Sequence, residues 1–154
     1  MNSILYDGGS ADMDTETNKQ TVKGFFEAVT ERRADDLSLF MAPDVIDHNQ
    51  IIHGEPDEPG AAFDGLRRQL DAFDPLTVRV EELLAEDDRV VARVTQLGRH
   101  TGRHPRMPEP TGREFEVEAI WLFTLAEGKI SQIRAVSDRL GLFVQLGWDW
   151  PEVG

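Results

Sequence analysis

The chain has 154 residues, no cysteine, 29 acidic and 16 basic residues, and a formal charge of −13. That length suits one domain that buries most of its apolar surface, and without cysteine there is no disulfide, thiolate nucleophile or cysteine-bound metal. The negative balance repels phosphate backbones and argues against nucleic-acid binding. No apolar run is long enough to span a bilayer, and the first residues lack the basic start and apolar core of a signal peptide, so the expectation is a cytoplasmic protein without membrane contact.

Asp7, Asp12, Asp14 and Glu16 lie in a leader without any basic residue, which predicts a mobile acidic tail over residues 1–16 and a single domain over 17–154. From Thr17 to Arg32, Val22, Phe25, Phe26 and Val29 share one helical face. A second, short helical turn follows over Arg33 to Phe40, with Leu37 and Phe40 facing in, and ends near Pro43. Val45 to Asn49 reads as a short extended piece closing on three polar groups, and Gly54, Pro56, Pro59 and Gly60 mark a loop. Ala62, Leu66, Leu70 and Phe73 then predict a third helix over Ala61 to Phe73.

From Leu76 the period becomes extended. Leu76 to Leu84 and Arg89 to His100 read as strands joined at the acidic turn Glu86, Asp87, Asp88, and the proline-rich stretch Gly102 to Gly112 reads as a loop. Phe115, Val117, Ala119, Trp121, Phe123 and Leu125 alternate through the next strand. On its other face Glu116 and Glu118 predict water, whereas Ile120 and Leu122 predict cover on both sides. Glu127, Gly128 and Lys129 supply a hairpin turn to a second strand, after which Asp138 precedes an apolar helix. Three helices followed by long antiparallel strands is an α+β pattern, with helices on one face of a curved sheet.

In this order the pieces resemble the SnoaL-like polyketide cyclases of the nuclear-transport-factor-2-like superfamily. The resemblance rests on the helix with Phe25 and Phe26, on DHN at Asp47 to Asn49, and on DRVVARVTQLGRHTG at Asp88 to Gly102. It continues in PTGREFEV at Pro110 to Val117, EGKI at Glu127 to Ile130 and DRLGLFVQLG at Asp138 to Gly147. It implies a cone-shaped α+β barrel: three N-terminal helices on a curved antiparallel sheet, with a C-terminal lid helix over a pocket. It further implies an intramolecular aldol-type ring closure of a hydrophobic, polyketide-like small molecule, without metal or cofactor.

Asp138 aligns with the family's acid/base aspartate, and such a carboxylate can take a proton from an activated carbon and return it to the new alkoxide. An Asp directly before a helix is also a common N-cap, which would tie the carboxylate to backbone N–H groups. His48, Asn49 and His100 fall at the implied pocket wall, where the two histidines could hold an enolate oxygen; alternatively His48 pairs with Asp47 and His100 is a solvated strand end. Phe26, Ile120, Trp121, Leu142 and Leu146 are the implied apolar contacts. Arg93, mid-strand, either pairs a carboxylate of the fold or grips an acidic substrate group. His104 follows His100 at a four-residue spacing, but Gly102 and Pro105 oppose the helix that would converge them, and no metal is expected. Trp148, Trp150 and Pro151 could cover the pocket or fill a subunit contact.

The chain departs from the family after the GKI turn. Where many relatives read GKIVEHWD, this chain has Gln132, Ile133, Arg134 and Ala135, and Trp121 stands about where many place a histidine. A hydrolase or isomerase on the same fold and a noncatalytic small-molecule-binding module therefore stand beside the cyclase reading. The resemblance also implies sheet surfaces that pair between subunits, and apolar residues on both strand faces agree, so a homodimer or homotetramer is expected.

Overall fold

The alternation of the late strands sets the architecture of the protein, seen here in a computed structural model that describes residues 2–49 and 58–149, with side chains from Asp14 onward. The elements are α1 (Asn2–Thr30), a 3-10 helix (Ala34–Leu39), β1 (Met41–Asp47), α2 (Ala61–Ala72), β2 (Phe73–Glu86), β3 (Arg89–His100), β4 (Glu114–Ala126), β5 (Lys129–Ser137) and α3 (Arg139–Gln145). α1 begins earlier than its amphipathic pattern, and the acidic tail expected over residues 1–16 falls mostly on residues whose side chains lie outside those described. So do Gly54 and Pro56 of the expected loop, and Trp150 and Pro151.

The strands form one sheet in the order β1-β5-β4-β3-β2. β2 through β5 pair antiparallel, as expected, but β1 pairs parallel with β5, so the sheet is mixed. The cause is connectivity: α2 carries the chain from β1 across to the far edge before the antiparallel run starts, and β5 returns beside β1 in the same direction. The sheet does not close into a barrel. Its edges are β1 and β2, and α2 packs against both.

Val90, Ala92 and Val94 of β3 and Phe115, Val117, Ala119, Phe123 and Leu125 of β4 are buried on one face, while their neighbours point outward. A register shift in the β4–β5 pair leaves Ser131 as an extra residue, so Ile130 and Ile133, three apart, both turn inward. α1 covers this face with Val22, Phe25, Phe26 and Val29, the residues its periodicity singled out. The outer face is less covered than expected: Ile120 is 48% and Val136 78% exposed.

Two devices join the layers. Arg32, at φ 59° past the end of α1, receives the chain in the left-handed conformation that ends many helices, and Arg33 N–H reaches back to Ala28 O at 2.8 Å. The Arg32 guanidinium then donates to the Phe73 carbonyl at 2.8 Å and to that of Leu70, tying α1 to the end of α2. At the end of β3, Thr101 and Gly102 N–H both donate to Ala72 O at 3.0 Å. A Cβ at position 102 would lie 1.9 Å from the Asp71 carbonyl oxygen, so backbone must move to admit one. Gly102→Ala is expected to cost about 1–3 kcal/mol, read as a lower unfolding midpoint in thermal melts.

Candidate active site

Between the inner face of the sheet and the helices lies a cavity of about 770 Å³, within the usual range for small-molecule sites. Phe25, Phe26 and Trp121 give the lining an aromatic part, backed by Phe123. Phe25 and Phe26 stand edge-on to Trp121 at 6.1 and 5.4 Å and to Phe123 at 5.6 Å each, while Trp121 stacks on Phe123 at 5.6 Å. Leu142 and Phe143 of α3 also line the cavity, which agrees with the C-terminal helix expected over it. Trp121 Nε1 is buried without a hydrogen-bond partner.

The DHN segment forms one wall. β1 stops at Asp47, which pairs with Ile133, and two residues later the Asn49 carboxamide takes over from the strand. Its Oδ1 accepts from Ala135 N–H at 2.9 Å and its Nδ2 donates to Ala135 O. Asn49 N–H donates to Asp47 Oδ1 at 3.0 Å, an Asx turn that orients the carboxylate. Asp47, Asn49, Ile133 and Ala135 all line the cavity. Among the described residues Asp47 is the only carboxylate that does so. His48 instead turns to Gln132 Oε1, 3.0 Å away, and is not part of the lining.

His104, in the loop after β3, also lines the cavity and is only 6% exposed. Its ring packs against Phe73 at 5.7 Å and Phe143 at 5.3 Å, and Nδ1 accepts from Arg106 N–H at 3.0 Å. In the neutral ring the proton therefore sits on Nε2. Burial pushes its pKa down to about 4, helped by the positive charge of His100, Arg139 and Arg106. His100 is fully buried with its ring 5.9 Å from that of Phe73, and its Nδ1 lies 3.2 Å from both the hydroxyl oxygen and the backbone nitrogen of Thr111.

Asp138 is exposed at the N-terminus of α3, where its Oδ1 accepts from Gly141 N–H at 2.8 Å. A Cβ at position 141 would lie 2.1 Å from Asp138 Oδ2, so the glycine leaves room for the folded-over carboxylate. Asp138 is thus the helix N-cap and lies outside the cavity lining, although Ser137 and Arg139 on either side belong to it. α3 is held by a second amide clamp: Gln145 Oε1 accepts from Glu116 N–H at 2.8 Å and Nε2 donates to Glu116 O at 3.1 Å.

Of the residues expected at the site, the structure brings Phe26, Asn49, Trp121 and Leu142 to the cavity and leaves Asp138, His48 and His100 outside it. Arg93 points from the outer face and pairs with Glu82 at 3.2 Å, which is the structural one of its two readings. Ile120 shares that outer face, because it is one residue out of phase with Trp121, and Leu146 is buried in the core. Sequence reasoning missed Asp47, Gln96 and His104. Gln96 had a signal: it is the polar break in the inward series Val90, Ala92, Val94. His104 had none, since only tertiary packing places it between Phe73 and Phe143.

The neutral His104 makes stability depend on pH. Below about pH 6.5 the unfolded chain binds a proton that the folded ring refuses until about pH 4, so acid favours unfolding across that window and stability returns as pH rises through it. The contribution is at most about 3 kcal/mol. His104→Asn is expected to show a flatter dependence of unfolding free energy on pH between 6.5 and 4 in denaturant titrations.

The SnoaL-like polyketide cyclase family matches residues 20–146. The aklanonic acid methyl ester cyclase DnrD of Streptomyces peucetius is 33% identical over 142 residues, covering 88% of this chain and 94% of that protein. The nogalonic acid methyl ester cyclase of Streptomyces nogalater is 34% identical over 122 residues, covering 78% and 90%. Among solved structures, TsrD from Streptomyces laurentii superposes with a TM-score of 0.74 at 28% identity over 86% of this chain and 96% of its own. With its open α+β sheet, its helices over one face and a family match that runs from residue 20 to residue 146, the chain belongs to the SnoaL-like polyketide cyclase family.

Proposed function

We propose that this enzyme closes a ring within a polyketide-derived ester by a cofactor-independent, intramolecular aldol-type step. The observation that carries the reading is the cavity itself, which joins the aromatic rings of Phe25, Phe26 and Trp121 to polar groups that include Asp47, Asn49 and His104, in a fold whose relatives include cyclases of aklanonic and nogalonic acid methyl esters. In such a step a carboxylate removes a proton from the carbon beside a carbonyl, the enolate carbon attacks a second carbonyl, and the alkoxide recovers the proton. No atom is gained or lost. His104 suits the polarising role expected of His48 and His100, because a neutral ring protonated on Nε2 can donate a hydrogen bond to a developing oxyanion.

The acid/base role expected for Asp138 has only sequence neighbours in its favour, Ser137 and Arg139, which line the cavity while Asp138 itself does not. It requires the carboxylate to leave Gly141 N–H. The reading takes residues 17–154 as one domain in the cytoplasm, with residues 1–16 as an acidic extension. Among the described residues no helix is long and apolar enough to cross a membrane. Self-association, as a homodimer or homotetramer, is supported by exposed Leu84, Ile120 and Val136 on the outer sheet face.

Incubation of the protein with aklanonic acid methyl ester and with nogalonic acid methyl ester, followed by liquid chromatography and mass spectrometry, tests the reading. The expected result is a product of unchanged mass and altered retention. Saturable binding of either ester without any product would favour a binding module instead.

A further inference from the structure

We propose that the carboxylate that moves the proton in this cavity is Asp47. The assignment rests on the ring-closure reading above and names the group that performs it. A general base must come within hydrogen-bond reach of the proton it removes, about 2.6–3.2 Å or one water away. Among the described residues, Asp47 is the only Asp or Glu in the cavity wall.

Its surroundings hold it in place. Asp47 is the last residue of β1, half-buried, and its backbone is fixed by the pairing with Ile133. Its Oδ1 accepts from Asn49 N–H, and Asn49 is locked by both polar atoms of its amide to the backbone of Ala135. Ile133 and Ala135 line the cavity beside it and carry no ionisable group. The wall strand β5 therefore supplies no base, and the carboxylate comes from the neighbouring strand. Asp138, by contrast, is exposed and folded over the start of α3. The neutral His104 is a hydrogen-bond donor rather than a carrier of charge.

The step balances within the substrate and this one side chain. The Asp47 carboxylate takes the proton of the C–H bond beside a carbonyl, and that electron pair becomes the enolate. The enolate carbon forms the new C–C bond as the π bond of the second carbonyl breaks, and the resulting alkoxide takes the proton back from the Asp47 carboxylic acid.

The test compares wild type, Asp47→Asn and Asp138→Asn with the same two esters. It follows product formation and, in deuterated water, deuterium uptake at the acidic carbon of recovered ester. Asparagine keeps the acceptor for Asn49 N–H at position 47 and the helix-capping acceptor at position 138, so each substitution removes the carboxylate while leaving the local turn. The expected result is a loss of kcat and of deuterium uptake at least about 100-fold greater in Asp47→Asn than in Asp138→Asn. Ester binding, followed by tryptophan fluorescence, is retained in both. If Asp47→Asn fails to fold, Asp47→Ser replaces it with the same expected loss. Turnover by wild type that Asp138→Asn abolishes and Asp47→Asn preserves would overturn the assignment alone. Ester bound by wild type with neither product nor deuterium uptake would overturn the ring-closure reading and this assignment with it.

Discussion

The strands of this sheet end at different heights, and the backbone groups left over at each step have to be satisfied. β1 stops at Asp47 while β5 continues to Ser137, and β5 stops there while β4 extends back to Glu114. Each step leaves an N–H and a C=O with no strand beside them, a cost in any buried setting. Two side-chain amides fill the gaps. Asn49 takes both backbone groups of Ala135, and Gln145 takes both of Glu116. The first clamp holds the wall that carries Asp47; the second holds α3, whose Leu142 and Phe143 face the cavity. The site thus sits where the sheet runs out, and the groups that terminate the sheet also position the lining.

The aromatic cluster supplies the other boundary. Phe25 and Phe26 are adjacent on α1, so both can meet the sheet only where its inner face offers a broad partner, and Trp121 and Phe123 provide one on β4. Edge-to-face contacts of this kind each add about 0.5–1.5 kcal/mol beyond area burial. The cluster fixes α1 at one end of the sheet. Toward β5, where the inward positions are Ile133 and the small Ala135 and Ser137, the inner face is left as cavity. A polyketide's flat conjugated skeleton suits a pocket with this aromatic lining.

The charges follow the same division. The protein carries a formal charge of −13, yet among the described residues its cavity has one carboxylate, Asp47, with Arg68, Arg106 and Arg139 in the same lining. On the outer surface Arg93 with Glu82 and Arg99 with Glu114 pair in the open and contribute little to stability. The inner polar groups have a different setting. Burial between Phe73 and Phe143 keeps His104 neutral at physiological pH, which makes it a donor.

The amino-acid sequence by itself determined which residues would be apolar core and where the chain would turn. Val22, Phe25, Phe26 and Val29 of α1 and the alternating residues of β4 are buried as their periods require, because side-chain direction along a helix or strand follows from local backbone geometry. The β4–β5 turn is also local: Glu127 at φ 53° and Gly128 at φ 80° make the tight two-residue loop that hairpins favour. The same local logic made Asp138 ambiguous between cap and catalyst, and the resemblance alone favoured catalyst. Only tertiary structure decided that β1 runs parallel to β5, that the sheet stays open, and that Asp138 caps α3. It alone brought Asp47 and His104, 57 positions apart in the sequence, to one cavity. These facts depend on contacts between segments far apart in the chain, and no period or spacing within a segment encodes which distant segment will pack against it.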